Sequence, residues 1–287
     1  MHKPTTIIRF DSLGEFLDKI CNSPINSNKK SSTRVEVWEG DDIENIWEGS
    51  RTFEEAVTIA RIGWERKASE LQRLSAPIVE KITSLVERSD INYDVEGTQV
   101  DIARFVDGEP ECWQYWTQTY HESTGTKHLR IVFNCMISAG ITNDVIIAKG
   151  AAIASLIEAL EFAGHRVQLD VAIGYKNFEA YVTVKKHDQP LDMPRIAFAL
   201  ASPAMARRFM FRLLETQPRD LANAVIGYGY GGNHKEYYWR VDNSDQGDLY
   251  FGHSFLGEPA WTNPESTTAW ILAELKKQGV TLTDTRG

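Results

Sequence analysis

Cysteine is scarce in this sequence: three residues in 287, Cys21, Cys112 and Cys135, far apart and odd in number. No two form a C-x-x-C pair and no histidine cluster accompanies them, which argues against a disulfide framework or a thiolate zinc site and fits a reducing compartment. Long apolar runs are missing too. No stretch approaches the roughly 18–20 residues that a membrane-spanning helix needs, and the opening MHKPTTIIRF lacks the apolar core of a signal peptide. The chain reads as cytoplasmic, with no membrane partner. Cations are outnumbered: 31 Lys and Arg against 40 Asp and Glu give a net charge of −9 and a pI near 5.4. The molecule as a whole is therefore not built to attract nucleic acid or anionic lipid, although basic patches can form locally.

The signatures of catalysis are equally thin. There is no G-x-S-x-G elbow, no GK[ST] phosphate loop and no cysteine with an obvious histidine partner. The seven histidines are scattered; His121-Glu122 has no second ligand pair one helical turn away. GYGYGG at 227–232 lacks the dinucleotide spacing and reads as a glycine turn. Carboxylate pairs such as Asp41-Asp42 and Asp242/Asp245 fall in turn-like segments. The expectation is a protein that is not an enzyme and holds no cofactor or metal.

What is present is a folded core. Apolar residues make up 42% and charged residues 25%, the balance of a globular chain and not of a disordered one. Its clearest unit runs from Leu129 to Tyr175: a short apolar strand, a polar loop over 134–143, a helix over 145–163 stopped by Gly164, and a second strand over 167–173. That βαβ pattern, with a third strand over 179–185 returning through a turn at 175–177, predicts an α/β (or α+β) fold. A mixed twisted sheet would carry helices on its faces and irregular aromatic-rich extensions. Residues 1–287 read as one large domain; a division into 1–125 (α+β) and 126–287 (α/β) is the alternative.

Elsewhere the pattern predicts an amphipathic helix over 7–21, an exposed basic loop over 22–33 and an edge strand over 34–38. A helix should be opened by the capping box Thr52–Glu55, and a second should run from Pro77 to Arg88. Residues 91–105 resemble a hairpin turning at Glu96-Gly97. Helices are expected over 193–201, with Pro194 early, over 203–215 behind Ser202, and over 265–278, where Lys276 and Lys277 suit the negative end of the helix.

Two kinds of cluster could carry binding. The densest aromatic run, 107–120, places Trp113 and Trp116 on opposite faces of an extended ribbon close to Arg104 and ahead of Lys127, His128 and Arg130. Tyr228, Tyr230 and Tyr238 lie in and after the glycine turn. Basic residues concentrate at Lys29, Lys30 and Arg34, and along one side of a helix at Arg207, Arg208 and Arg212. Flat rings beside cations are what single-stranded nucleic acid requires, each stacked base contributing about 1–3 kcal/mol. Core packing and solvated helix faces are the competing readings of the same residues. At the carboxyl end of the first central strand, Asn134, Ser138, Thr142 and Asn143 loosely resemble the metal-adhesion loop of von Willebrand factor A-type domains. Asn134 stands where that loop has an aspartate, which weakens hard-cation binding; the bland alternative is a structural turn.

Three blocks, GSRTFEEAVTIARIGW (49–64), VEGTQVDIARFVDGEPECW (95–113) and KGAAIASLIEALEFAGHRVQLDV (149–171), together resemble an uncharacterised family of tailed-phage proteins with the same order of blocks. Within it the chain looks most like the early single-stranded-DNA-binding RNA polymerase cofactors of podovirus-type phages that carry a virion RNA polymerase. The resemblance spans about residues 47–175. It implies single-stranded DNA as ligand, a phage RNA polymerase as partner in transcription, self-association as a homo-oligomer, and a site of action in the host cytoplasm. It assigns no DNA-contacting residue. Two rival readings are a protein-interaction adaptor on a von Willebrand A-like α/β domain, one that inhibits a host defence system for example, and a hydrolase or nucleotide-binding enzyme.

Overall fold

A computed structural model describes residues 6–27, 32, 49–83, 91–97, 99–116, 127–138, 140–175, 178–226, 245–254, 261 and 263–278. In chain order the elements are β1 (Thr6–Phe10), α1 (Leu13–Asn22), α2 (Phe53–Ile62), α3 (Glu65–Thr83), β2 (Ile91–Asp94), β3 (Gln99–Val100), α4 (Ile102–Val106), β4 (Trp113–Trp116) and β5 (His128–Asn134). Then follow α5 (Asn143–Phe162), β6 (Arg166–Tyr175), β7 (Phe178–Lys185), α6 (Met193–Ala201), a π-helical stretch Met205–Met210, α7 (Phe211–Glu215), α8 (Arg219–Ile226), β8 (Leu249–Phe251) and α9 (Pro264–Lys277). No helix among the described residues is long and apolar enough to cross a membrane.

The fold is mixed α/β, built around a sheet of order β1-β7-β6-β5-β8. β5 runs parallel to both β6 and β8, while β7 is antiparallel to β6 and β1 is parallel to β7. The central βαβ unit is as the pattern predicts, down to Gly164, whose φ of +90° ends α5 in a conformation that suits glycine. Side chains alternate across the strands. Leu129, Ile131 and Phe133 of β5, Val167, Leu169, Val171 and Ile173 of β6, and Ala180 and Val182 of β7 join α1, α2, α3, α5, α6 and α9 in one core. On the other side Val132, Ala172 and Tyr181 form a small second cluster with Tyr250. The main core runs across position 125: β1 is an edge strand on β7, and α3 packs on α5 and α6.

Where structure and pattern differ, tertiary contact decides. Residues 6–10 are a strand and not the start of a helix; α1 begins only at Leu13, capped by Ser12, whose Oγ accepts from Glu15 N at 3.1 Å. The segment expected as an exposed loop is tied down at both described parts. Asn26 N–H donates to Glu215 O at 2.8 Å, and the buried Ser32 donates its N–H to Glu215 Oε1 at 3.0 Å. α3 begins twelve residues before Pro77 and continues through it. Proline there removes one intrahelical bond, but Ala68, Leu71, Ile78 and Ile82 are buried on both sides of it and hold the helix. Residues 91–105 do not close a hairpin, because β4 lies between β2 and β3 and pairs antiparallel with each. The expected strand at 34–38 lies outside the described residues. Thr52 caps α2 as expected, its Oγ1 accepting from Glu55 N at 3.1 Å, while the Glu55 carboxylate accepts from Arg51 N at 2.6 Å, one residue before the N-cap whose N–H a strict capping box would use.

Candidate nucleic-acid interface

The arginine row expected to face phosphates faces inward. Arg208 is fully buried, and its guanidinium donates to Ser50 Oγ (3.0 Å), Ser50 O (2.8 Å), Arg51 O (2.9 Å) and Ser32 O (3.4 Å). Arg207, also buried, donates from Nη2 to Ile137 O at 2.7 Å and lies over Phe211, 5.5 Å from the ring centre. Arg212 is half-buried, bonds Ile20 O at 3.2 Å and covers Phe53 at 5.3 Å. The physical reason is burial on all sides: Met205, Ala206, Phe209 and Met210 are buried as well, so no face of this π-helical stretch reaches solvent. A segment expected to have one solvent side has none, and two consecutive arginines lie in the interior. Each fastens the carbonyl of a different segment.

The strand end likened to a metal loop is also occupied by protein groups. Asn134 is buried; its Oδ1 accepts from Met136 N at 3.1 Å and its Nδ2 donates to Tyr250 OH at 3.2 Å. Ser138 N–H donates to Ser254 O at 2.9 Å. Beside them the buried Lys149 ammonium donates to Gly252 O (2.8 Å) and Ser254 Oγ (3.1 Å). The Lys149 side chain thus fills the carboxyl ends of β5 and β8 and takes up the oxygens of Gly252 and Ser254. Across the same side of the sheet, Arg130 bonds Asp170 and Asp245 at 2.6 Å each, and Arg9 also pairs with Asp245. Arg9 lies 4.4 Å over the Tyr181 ring, and Tyr181 OH donates to the buried Glu179 at 2.8 Å. Burial, and then Glu179, raise the Tyr181 phenol well above its usual range. These charges are spent on one another.

One group of solvent-reaching cations lies at the other end of the sheet, where β5 and β6 begin and β7 finishes. His128 registers with Arg166, whose N–H donates to Lys127 O at 2.9 Å. The rings of His128 and His187 lie 5.1 Å apart, and His187 Nε2 meets Leu129 O at 3.2 Å. Lys127 Nζ donates to Gln278 O at 2.5 Å, which brings in the last turn of α9 with Lys276 and Lys277. His128, Arg166, Lys186, Lys276 and Lys277 are exposed. Of the nearby carboxylates, Glu161 holds the buried Lys185 at 2.5 Å and Glu274 holds Lys277 at 2.8 Å, while Asp188 is exposed beside His187. The result is a cationic rim with an imidazole pair, chemistry suited to phosphates beside flat rings. The sequence named Lys127 and His128 only as neighbours of the aromatic run and Lys276 and Lys277 only as a helix end. Their convergence with Arg166, Lys186 and His187 depends on topology.

A buried histidine next to Arg166 gives this end of the sheet a pH dependence. His165 is buried, and its Nδ1 accepts from Lys127 N at 3.3 Å, so a neutral ring carries its proton on Nε2, which has no acceptor among the described residues. Burial, and then Lys127, push its pKa down. The unfolded chain takes up this proton near pH 6.5 while the folded protein resists it, so stability is full above that value and falls as pH drops toward the lowered folded pKa. Urea unfolding at about pH 7.5 and 5.5 is expected to show a smaller pH loss in His165→Asn, which keeps an acceptor near the Nδ1 position, than in the parent chain.

The remaining candidates divide as follows. Trp113 is 37% exposed, opposite Asp94 in the β2–β4 pairing and in a segment, 91–116, that also carries Glu96, Asp101, Asp107, Glu109 and Glu111. A phosphate chain there would meet like charge, which disfavours Trp113 as a base platform. Trp116 belongs to β4, but its side chain lies outside the described residues, as do Lys29, Lys30, Arg34, Tyr228, Tyr230 and Tyr238. No curated protein and no solved structure matches the chain. A family model does match it, over residues 2–281, and the chain thus belongs to that family, the domain of unknown function DUF7192.

Proposed function

We propose that this protein binds single-stranded DNA without catalysing a reaction on it, as a cofactor of a phage RNA polymerase in transcription in the host cytoplasm. The observation that carries the reading is the cationic rim formed by Lys127, Arg166, Lys186, Lys276 and Lys277 around the His128–His187 pair, on a molecule whose net charge is −9. The likeness of blocks 49–64, 95–113 and 149–171 to phage polymerase cofactors supports it. Clustered cations hold a flexible single strand, while the surrounding acidity disfavours the stiffer and more highly charged duplex. Self-association along a strand accords with the same reading.

The test is fluorescence anisotropy of a labelled oligo-dT titrated with protein between about 50 and 200 mM salt. Affinity is expected to fall with salt, with a log–log slope of about −0.7 per phosphate contacted. The variant Arg166→Glu/Lys186→Glu/Lys276→Glu should bind at least about tenfold more weakly and with a shallower slope. Absence of binding at about 50 mM salt and micromolar protein, or unchanged binding by the variant, removes the proposal. A second reading, a protein-interaction adaptor, is favoured by one specific observation: the apolar exposure of α4.

A further inference from the structure

α4 is a helix with no buried residue. Ile102 is 74% exposed, Phe105 63% and Val106 76%, at the i, i+3, i+4 spacing that puts all three on one face. Val95, in the bend after β2, and Trp113 of β4 are further exposed apolar residues of the same segment. Such a helix contributes nothing to the core, and soluble chains seldom leave apolar side chains grouped in this way unless something covers them.

The underside of this face is firmly built. Asp101 caps α4, accepting from Ala103 N at 3.0 Å and Arg104 N at 3.3 Å, and its other oxygen accepts from Tyr93 OH at 3.2 Å and Gln114 Nε2 at 3.3 Å. Gly97 lies so close to β4 that a Cβ on it would stand 2.5 Å from Gln114 O. Arg104, the only cation of the segment 91–116, folds back over the Tyr93 ring at 3.7 Å, bonds Glu111 O at 3.3 Å and pairs with Glu109 at 3.4 Å. An approaching molecule therefore meets exposed apolar side chains on a segment that carries six carboxylates and a single, already engaged cation.

We propose that this face docks a protein segment of the opposite make-up, an amphipathic helix with apolar anchors flanked by lysines and arginines. Charge complementarity selects that occupant. Nucleic acid would bring phosphates against Asp94, Glu96, Asp107, Glu109 and Glu111. A second copy docked by two-fold symmetry would set the same carboxylates against themselves. The proposal does not rest on the DNA reading, since it concerns different residues.

The probe is a fluorescein-labelled peptide of about five helical turns made of leucine and lysine at amphipathic spacing, titrated with the full chain. A leucine–glutamate peptide of the same pattern and a glycine–lysine peptide of the same charge serve as controls. The leucine–lysine peptide should bind, the glutamate peptide should not, and the glycine–lysine peptide should bind at least about tenfold more weakly. Phe105→Ser/Val106→Asn should weaken the leucine–lysine peptide at least about tenfold while leaving oligo-dT binding and sedimentation unchanged. Asp94→Asn/Glu96→Gln/Glu109→Gln, which leaves the apolar residues in place, should flatten the salt dependence of peptide binding. Equal peptide binding by parent and both variants overturns the proposal. So does loss of oligo-dT binding in Phe105→Ser/Val106→Asn, which would make the face a nucleic-acid surface, or a change in its sedimentation, which would make it a self-contact. Arg166→Glu/Lys186→Glu/Lys276→Glu should leave peptide affinity intact, so failure here and failure of the DNA reading give different results.

Discussion

Arg208→Ala is expected to lower the unfolding free energy by about 3–5 kcal/mol, the range for stripping one partner from a buried charged network. The guanidinium is the largest fully buried side chain, and it spends its donors on Ser50, Arg51 and Ser32. Alanine leaves those carbonyls in the interior without their donor, at about 1–3 kcal/mol for each unsatisfied group. The loss also propagates, because Ser32 is held from its other side by Glu215. Arg208 thus links residues 32 and 50–51 to the 205–215 segment. Lysine should recover only part of the stability, since a single ammonium cannot reproduce the planar fork. Urea denaturation measures the loss. If Arg208→Ala kept its midpoint while oligo-dT binding vanished, the inward assignment of this arginine would be wrong.

Gly247→Ala should cost roughly 2–4 kcal/mol, from a left-handed backbone and an overpacked contact together. Gly247 has φ +67°, and a Cβ on it would stand 2.5 Å from Arg130 O, a backbone atom with no room to yield. The turn that carries it fastens to the β8 edge of β5. Asp248 accepts from Arg130 N at 2.7 Å and donates its own N–H to Arg130 O at 2.9 Å, while Asp245 takes Nη1 at 2.6 Å. Burial opposes the Asp245 charge, yet hydrogen bonds from Arg130 and Arg9 prevail and hold its carboxyl below the usual range. The corresponding stability is present above about pH 4 and lost as pH falls through the lowered folded pKa. The gap in unfolding free energy between the parent and Gly247→Ala is therefore expected to narrow in acid, with the largest difference near neutral pH.

The elements legible in the sequence are those whose signal is local. β5, α5 and β6 announce themselves by continuous apolar runs and a glycine stop. α6 matches its expected limits, Met193–Ala201, because Pro194 and its capping Asp192 lie within the first turn. α2 starts where its capping Thr52 says it must. β1 was not legible, since Thr-Ile-Ile-Arg-Phe becomes a strand only by lying against β7. Pro77 marks no helix boundary because burial of Leu71, Ile78 and Ile82 outweighs it. The arginines of 207–212 failed as binding residues for a related reason: what fixes Arg208 is a set of carbonyls more than 150 positions away in the chain, which periodicity does not encode. The cationic rim is assembled from the termini of β5, β6, β7 and α9, each unremarkable alone.

The pairing of β1 with β7 also sets a timetable. Thr6–Phe10 lies in register with Phe178–Val182, so during translation the strand is complete long before its only described neighbour leaves the ribosome. At about 5–20 residues per second that interval is on the order of ten seconds or more, ample for a nascent apolar edge to find a wrong mate. Nascent chains halted before residue 178 should therefore keep Thr6–Phe10 open to protease and chaperone, and release past residue 185 should close it.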